Sequence, residues 1–256
     1  MEIAAYHMAT QKRWSDIVLN ASTLEQLTSL KDWVKHHQVE IIDKANKRYP
    51  GYRALFYGPP GTGKSFTAAV IGNELKVPVY RIDLSSAVSK YIGETEKNLD
   101  TLFNRAEDKG WILFFDEADA LFGKRTEVKD SHDRYANEEI SYLLQKIEDY
   151  NGLAILASNL KSNIDDAFIR RFQSVIFFPL PSAAERKKLW LLGLTGNKLV
   201  EERIDLNAIA EQYELSPASI IHIAHSINDN ALSNVTAAAT YNLLVKEIEN
   251  EYSKQS

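Results

Sequence analysis

The chain has 256 residues, enough for one or two domains that each bury a proper core. Apolar residues make up 45% and charged residues 25%, the balance of an ordinary globular protein, which excludes a wholly disordered chain. A net charge of −5 argues against a broad nucleic-acid footprint, and the absence of cysteine excludes disulfides, zinc ribbons and thiol catalysis.

No apolar run approaches the roughly 18 residues of a membrane span. Met1 to Trp14 has no continuous apolar stretch of the kind a secretory signal needs. The expected compartment is therefore the cytoplasm, with no membrane partner. Ser22 to Lys47 reads as helix, with Leu24, Leu27, Leu30 and Val34 at helical spacing, and Tyr49-Pro50-Gly51-Tyr52 ends it. Ala54 to Tyr57 is a short apolar strand, followed by a Gly/Pro loop and a helix over Lys64 to Leu75. Val77 to Leu84 predicts a second strand and Glu94 to Glu107 a helix. Trp111 to Phe115 is apolar without polar alternation, as a central parallel strand buried on both faces must be. Ala136 to Tyr150 is a helix, with Gly152 where a C-cap would stand, and Leu153 to Ala157 and Ser174 to Phe178 are further strands. The alternation predicts an α/β fold: a parallel five-stranded sheet with helices on both faces.

After Pro179-Leu180-Pro181 every segment has helical periodicity. Ser216-Pro217 pairs an N-cap residue with a proline at the first helical position. Residues 1–50 are thus expected as a helical entry segment, 51–181 as the α/β core and 182–256 as a small all-helical domain, with the two prolines as a stiff, hinge-like connector.

The strongest chemical signal is Gly58-Pro59-Pro60-Gly61-Thr62-Gly63-Lys64-Ser65, which fits G-x-x-x-x-G-K-[ST] between a strand and a helix. Glycines let the backbone turn tightly, so that successive N–H groups point at an anion. Lys64 brings positive charge to the outer phosphates, the Ser65 hydroxyl can ligate Mg2+, and the helix N-terminus adds its dipole. Phe66 completes the nucleotide-binding set. The apolar strand Trp111–Phe115 ends in Asp116-Glu117, at the sheet edge where ligands bind. There Asp116 would hold Mg2+ through water and Glu117 would polarise the attacking water, which makes a nucleotide with Mg2+ the expected ligand and hydrolysis the expected reaction.

GPPGTGKS at Gly58 to Ser65, followed by FFDEADALFGKR at Phe114 to Arg125, resembles the classical AAA branch of the AAA+ ATPases, and the resemblance runs from about Trp14 to the last helix. It implies a P-loop core followed by a helical lid. It also implies that Trp14 to Val18 lies against the adenine, that Asn159 at the end of Ile155-Leu156-Ala157-Ser158 is the polar residue near the γ-phosphate, and that Arg170 and Arg171 reach the ATP of a neighbouring subunit. Lys90-Tyr91-Ile92-Gly93 resembles the pore loop of protein-threading members, where Tyr91 would grip a chain by its flat apolar face. Thr126 to Tyr135, with His132, would be the second pore loop. The stretches SKYIGETEKNLDTLF and DSHDRYANEE look bacterial, similar to ATPases encoded with contractile injection systems.

Leu215-Ser216-Pro217-Ala218-Ser219 departs from the Ser-Gly-Ala-Asp of the family, and the lid carries no sensor-2 arginine. The segment before the P-loop is too short for a separate substrate-recruiting domain, so recruitment falls to a partner, or the chain is a fragment or a minimal protein. His222 and His225 lack a third ligand nearby in sequence, and the clusters Lys12-Arg13 and Arg186-Lys187-Lys188 read as solvated faces. The expected function is an ATPase that self-associates into a ring, expected to be a hexamer, or a spiral, and remodels, unfolds or disassembles a protein substrate. The alternatives are a nucleotide-switched assembly factor and a nucleic-acid-directed motor. The acidic charge and the aromatic loop argue against the motor, so no nucleic-acid partner is expected.

Overall fold

The protein is described by a computed structural model over residues 5–41, 51–83, 95–119, 131–159, 166–194, 204–231 and 237–253. It divides into two compact units. The first comprises Met1–Trp14, Ser22–Gly58 and Lys64–Phe177, and the second Ser15–Ala21, Pro59–Gly63 and Phe178–Ser256.

The first unit is built on a sheet of strands β1 (Ala5–His7), β2 (Tyr52–Tyr57), β3 (Val79–Asp83), β4 (Ile112–Asp116), β5 (Leu153–Ser158) and β6 (Ser174–Phe177). Their order is β1-β3-β4-β5-β2-β6. Strands β2 to β6 pair in parallel, while β1 runs antiparallel along β3. The expected five-stranded parallel sheet is therefore corrected to a mixed sheet of six strands among the described residues. Strand β1 has only three residues and no buried alternation, so nothing local marks it. Pairing with β3 holds it, together with the Met8 N–H donated to the Val79 carbonyl at 2.8 Å.

Helices α1 (Ala21–Ile41), α2 (Lys64–Leu75), α3 (Thr95–Lys109), α4 (Ser131–Asp149) and the short α5 (Asp166–Ile169) connect the strands. Helix α4 starts at Ser131, so Ser131 to Tyr135 belong to it and not to a loop. Polar, helix-compatible residues extend the amphipathic run backwards, and the apolar periodicity that marked its start comes later. On one face of the sheet, Leu55, Ile82, Leu113, Phe115 and Leu156 cluster with Leu99, Leu102, Phe103 and Ala106 of α3 and Leu143 and Ile147 of α4. The alternate residues Ala54, Phe56, Ile112, Phe114 and Ile155 are buried as well, and α2 packs against β3, β4 and β5. Burial on both faces is why β4 and β5 read as continuous apolar runs.

The second unit contains α6 (Ala183–Gly193), α7 (Leu206–Gln212), α8 (Pro217–Ala231) and α9 (Ala237–Ser253). Ser182 and Glu185 form a capping box at the start of α6. Ser216 Oγ accepts the Ser219 N–H at 3.2 Å, so Ser216 caps α8 with Pro217 at its first position. Trp190, Ile209, Ile220, Ile223, Leu244 and Ile248 share one core, against which Val18 also packs. Arg186 departs from its expected solvated face. It is buried, and donates from Nε to the Ala210 carbonyl (2.7 Å) and from Nη1 to the Pro181 carbonyl (2.6 Å), so it ties the connector to α7. His222 and His225 are exposed on α8. No described helix is long and apolar enough to cross a membrane.

Tyr150 fixes how β2 and β5 begin. Its hydroxyl donates to the Trp111 carbonyl at 2.5 Å, and burial, with Glu107 second, pushes its pKa well above the ordinary tyrosine value. Gly152 is not the helix cap, since α4 already ends at Asp149. A Cβ there would lie 2.6 Å from the Tyr150 ring, so glycine is needed for close approach. Gly51 is tighter still, with a Cβ falling 1.7 Å from the Tyr150 carbonyl oxygen. Gly51→Ala must push β2 away from Tyr150. We expect a loss of about 3 kcal/mol, read in thermal melting as a midpoint lowered by about 6–12 °C. An unchanged midpoint would mean that the strand start is not packed this closely.

Candidate active site

In the first unit, β4, β5 and β2 lie side by side, and their C-terminal ends carry Asp116-Glu117, Ser158-Asn159 and Tyr57-Gly58. Tyr57 pairs with Ser158 at the last step of the β2–β5 ladder, and Gly58 N–H continues it by donating to the Ser158 carbonyl at 3.2 Å. The chain then makes its loop and enters α2 at Lys64, as the glycine-lysine motif requires.

Lys64 is buried, and its ammonium reaches back to the Gly58 carbonyl at 2.7 Å and across to Asn159 Oδ1 at 3.0 Å. Burial lowers its pKa, while the carboxylates of Asp116 and then Asp119 pull it back up. The structure thus brings together three residues that are far apart in sequence: the P-loop lysine, the strand-end Asp116 and Asn159.

Gly61 has φ 74° and Gly63 φ 95°, conformations that L side chains rarely adopt. The two positions differ in space. A Cβ on Gly63 would meet nothing within 4 Å, so φ alone demands glycine there, whereas at Gly61 it would also fall 2.6 Å from Ser216 Oγ. The loop tip Pro59–Gly63 groups with the second unit, where Gly61 O accepts the Ala218 N–H at 3.0 Å. Within the tip, Thr62 is buried and donates its hydroxyl to the Pro59 carbonyl at 2.8 Å, while Pro60 is exposed. Ser65 and Phe66 follow on the first turn of α2, with Phe66 exposed.

Asp116 is held at both oxygens. Oδ1 accepts the Glu117 N–H at 3.1 Å, and Oδ2 pairs with Arg81 Nη2 at 3.1 Å. Glu117 is exposed and sits at φ 53°, a left-handed conformation uncommon for a non-glycine residue. Such backbone strain gathers at functional sites because the surrounding structure must enforce it. Arg81 and Asp119 are partners that sequence reasoning missed. Asp119 was visible as the last acid of Asp116-Glu117-Ala118-Asp119. Arg81 alternates along an ordinary strand, and only the β3–β4 register brings it beside Asp116.

Arg170 and Arg171 follow α5, and both are exposed. The structure separates them. Arg171 pairs through Nη1 with Glu148 of its own chain and lies over the Phe168 ring at 5.6 Å. Arg170 has no ion pair among the described residues. Trp14 begins a short 3-10 turn, with the Lys31 ammonium 4.1 Å from its ring centroid. Lys90, Tyr91, Ile92 and Gly93, and the stretch 126–130, lie outside the described residues.

Comparison with known proteins agrees with this arrangement. Residues 54–180 match the family described as the ATPase family associated with various cellular activities (AAA). The chain is 35% identical over 184 residues to cell division protein C of Sulfolobus acidocaldarius, covering 67% of this chain and 49% of that protein. It is 37% identical over 182 residues to vacuolar protein sorting-associated protein 4B of Mus musculus, covering 68% and 41%. With the proteasome-activating nucleotidase of Aeropyrum pernix it shares 32% over 209 residues, covering 78% and 51%. The chain thus spans about half the length of these relatives. The buried lysine, the glycine conformations of the loop and the acid pair at the end of β4 all lie within the matched residues, which form a domain of the AAA ATPase family.

Proposed function

We propose that the protein is an ATP hydrolase that acts on a protein substrate as a ring or spiral of identical subunits, with a hexamer as the expected ring. The observation that carries this reading is the Lys64 ammonium, buried between Gly58 O and Asn159 Oδ1 beside the Asp116 and Asp119 carboxylates. That is a cation seated for an anion, at the end of strands that also supply acids for a metal. Among the described residues no three acids or histidines gather to hold a metal by themselves. The donor set fits Mg2+, which keeps several waters and takes phosphate oxygens in addition to one or two protein ligands. Ser65 and Asp116 would hold it, and the bound ion would supply charge neutralisation at the phosphates. Lys64 binds and orients the outer phosphates. Glu117 orients the attacking water and accepts its proton. Asn159 contacts the outermost phosphate.

Work on a protein is supported by the names of relatives, which include a proteasome-activating nucleotidase and proteins of vacuolar sorting and cell division. The resemblance of Lys90-Tyr91-Ile92-Gly93 to a pore loop points the same way. Soluble assemblies in the cytoplasm, without nucleic acid or membrane, complete the proposal, and the bacterial injection-system likeness remains part of it.

Lys64→Ala should abolish ATP binding by calorimetry, and unchanged affinity would sink the phosphate-loop assignment. Glu117→Gln should keep binding and lose turnover, because an amide cannot accept the proton. A wild-type kcat would place the base elsewhere.

Arg170 should act on the ATP of a neighbouring subunit, where such a finger is worth about 10³ or more in rate. Mixing Arg170→Ala protein with Lys64→Ala protein should restore part of the ATPase, since one kind of interface then joins a sound loop to a sound arginine. Demonstrated co-assembly without recovery would argue for a role within one chain.

Tyr91→Ala should leave basal ATPase within a few-fold and stop substrate remodelling, while Tyr91→Phe keeps the ring and is tolerated. Loss of ATPase together with a clear fall in melting temperature would instead mark Tyr91 as a core residue, as large-to-small core changes cost about 3–5 kcal/mol.

A further inference from the structure

The ends of β4 and β5 are joined beyond the regular ladder, whose last pair is Phe115 with Leu156. Ala118 N–H donates to the Ala157 carbonyl at 2.8 Å. Next, the hydroxyl of Ser158, only 1% exposed, bonds Asp119 Oδ1. The backbone N–H of Asn159 then donates to Asp119 Oδ2 at 3.3 Å. One carboxylate thus commits both oxygens to two consecutive residues. The second of them is Asn159, whose side-chain oxygen accepts from Lys64.

Asn159 stands just past the last residue of β5 and is itself exposed. The ladder reaches only the carbonyl side of its peptide, where Gly58 N–H bonds Ser158 O, and no described helix begins there. Asp119 holds the N–H side of that peptide, from three residues past Asp116, the last residue of β4. We propose that Asp119 is a positioning residue for hydrolysis: by holding the Asn159 backbone it sets where the Asn159 amide meets the outermost phosphate, and it locks that amide to the acid pair of β4. The proposal rests on the reading of Asn159 as the phosphate-facing residue.

The chemistry separates this role from two simpler ones. If Asp119 served only as a charge near Lys64, an asparagine would be as harmful as an alanine. If it served only stability, turnover would follow melting temperature. As a geometric clamp it can be replaced by an amide. The amide oxygen of asparagine accepts the Asn159 N–H, and its NH2 donates to Ser158 Oγ, so the bridge survives without the charge. Alanine loses both bonds. A displacement near 1 Å of a positioned group costs roughly 100-fold in rate, and this sets the size of the effect.

The experiment measures kcat, ATP Kd and melting temperature for Asp119→Ala, Asp119→Asn, Asn159→Ala and the double variant Asp119→Ala/Asn159→Ala. We expect Asp119→Ala to lower kcat about 30–100-fold with Kd within about threefold, and Asp119→Asn to stay within about fivefold of wild type. The double variant should be no slower than the slower single one, because both changes remove one interaction. Multiplying effects in the double variant would overturn the proposal, as would an asparagine variant as slow as the alanine one, or a loss of ATP binding in Asp119→Ala. Wild-type turnover in Asn159→Ala would sink the reading of Asn159 and this proposal with it. A slow Asn159→Ala beside a fast Asp119→Ala would sink the Asp119 proposal alone. Should Asp119→Ala fail to fold, Ser158→Ala removes one of the two bonds. It should slow kcat about 3–10-fold at unchanged Kd, and an unchanged kcat there overturns the proposal.

Discussion

An ammonium ion taken out of water costs several kcal/mol unless oxygens replace its hydration shell, and Lys64 is placed under that constraint. Burial pulls its pKa down, and the carboxylates of Asp116 and Asp119 pull it up. Two neutral oxygens, Gly58 O and Asn159 Oδ1, hold two of its donors. These partners come from the end of β2, the end of β5 and the end of β4. Only a sheet in which those three strands are neighbours, all pointing the same way, can deliver them to one place. The order β4-β5-β2 in the middle of the sheet satisfies the lysine, and it puts the acid pair next to it.

The precision of those strand ends depends on packing beneath them. Strands β4 and β5 are buried on both faces, so their ends cannot drift without opening two layers of core. Tyr150 adds a fixed point at the opposite end of the sheet, bonded to Trp111 O and flanked by two glycines that admit it closely. Above that rigid base the chain takes conformations that it would not choose by itself: φ 95° at Gly63 and φ 53° at Glu117. A glycine tolerates the first without cost. The second is strain at a glutamate, and it is kept by the Glu117 N–H bonding Asp116 Oδ1 and by Ala118 N–H bonding Ala157 O on either side.

The elements that local sequence determines were legible. Helix α2 runs over Lys64–Leu75 as its motif and periodicity predict, and Ser216-Pro217 starts α8. The five parallel strands follow from apolar runs between turns. What could not be read depends on partners distant in sequence. Strand β1 exists because β3 offers an edge to it. Arg186 looks like one member of a basic surface cluster until Ala210 O and Pro181 O are placed around it. Gly152 resembles a helix cap until the Tyr150 ring is found against it. In the site, the motif residues were legible and their supports were not. Asp119 and Arg81 act through β4–β5 and β3–β4 neighbours, which no single-segment pattern encodes.

The two arginines after α5 illustrate how far such contacts change a reading. In sequence Arg170 and Arg171 are equivalent, and the structure gives them different surroundings. Arg171 begins from a pair with Glu148, at side-chain exposures of 54% and 35%. An exposed pair of this kind is worth only about 0–1 kcal/mol, so it biases the side chain without trapping it. Its direction still matters, because it turns Arg171 back onto α4, while Arg170 has no ion pair among the described residues. Glu148 also accepts from Arg53 Nη1 through its backbone carbonyl, at 2.5 Å. Arg53 lies on β2, so the strand that leads into the phosphate loop and the segment that carries the arginines meet at one residue of α4. A displacement of either element therefore has to be accommodated at Glu148, which holds the one by its backbone carbonyl and the other by its carboxylate.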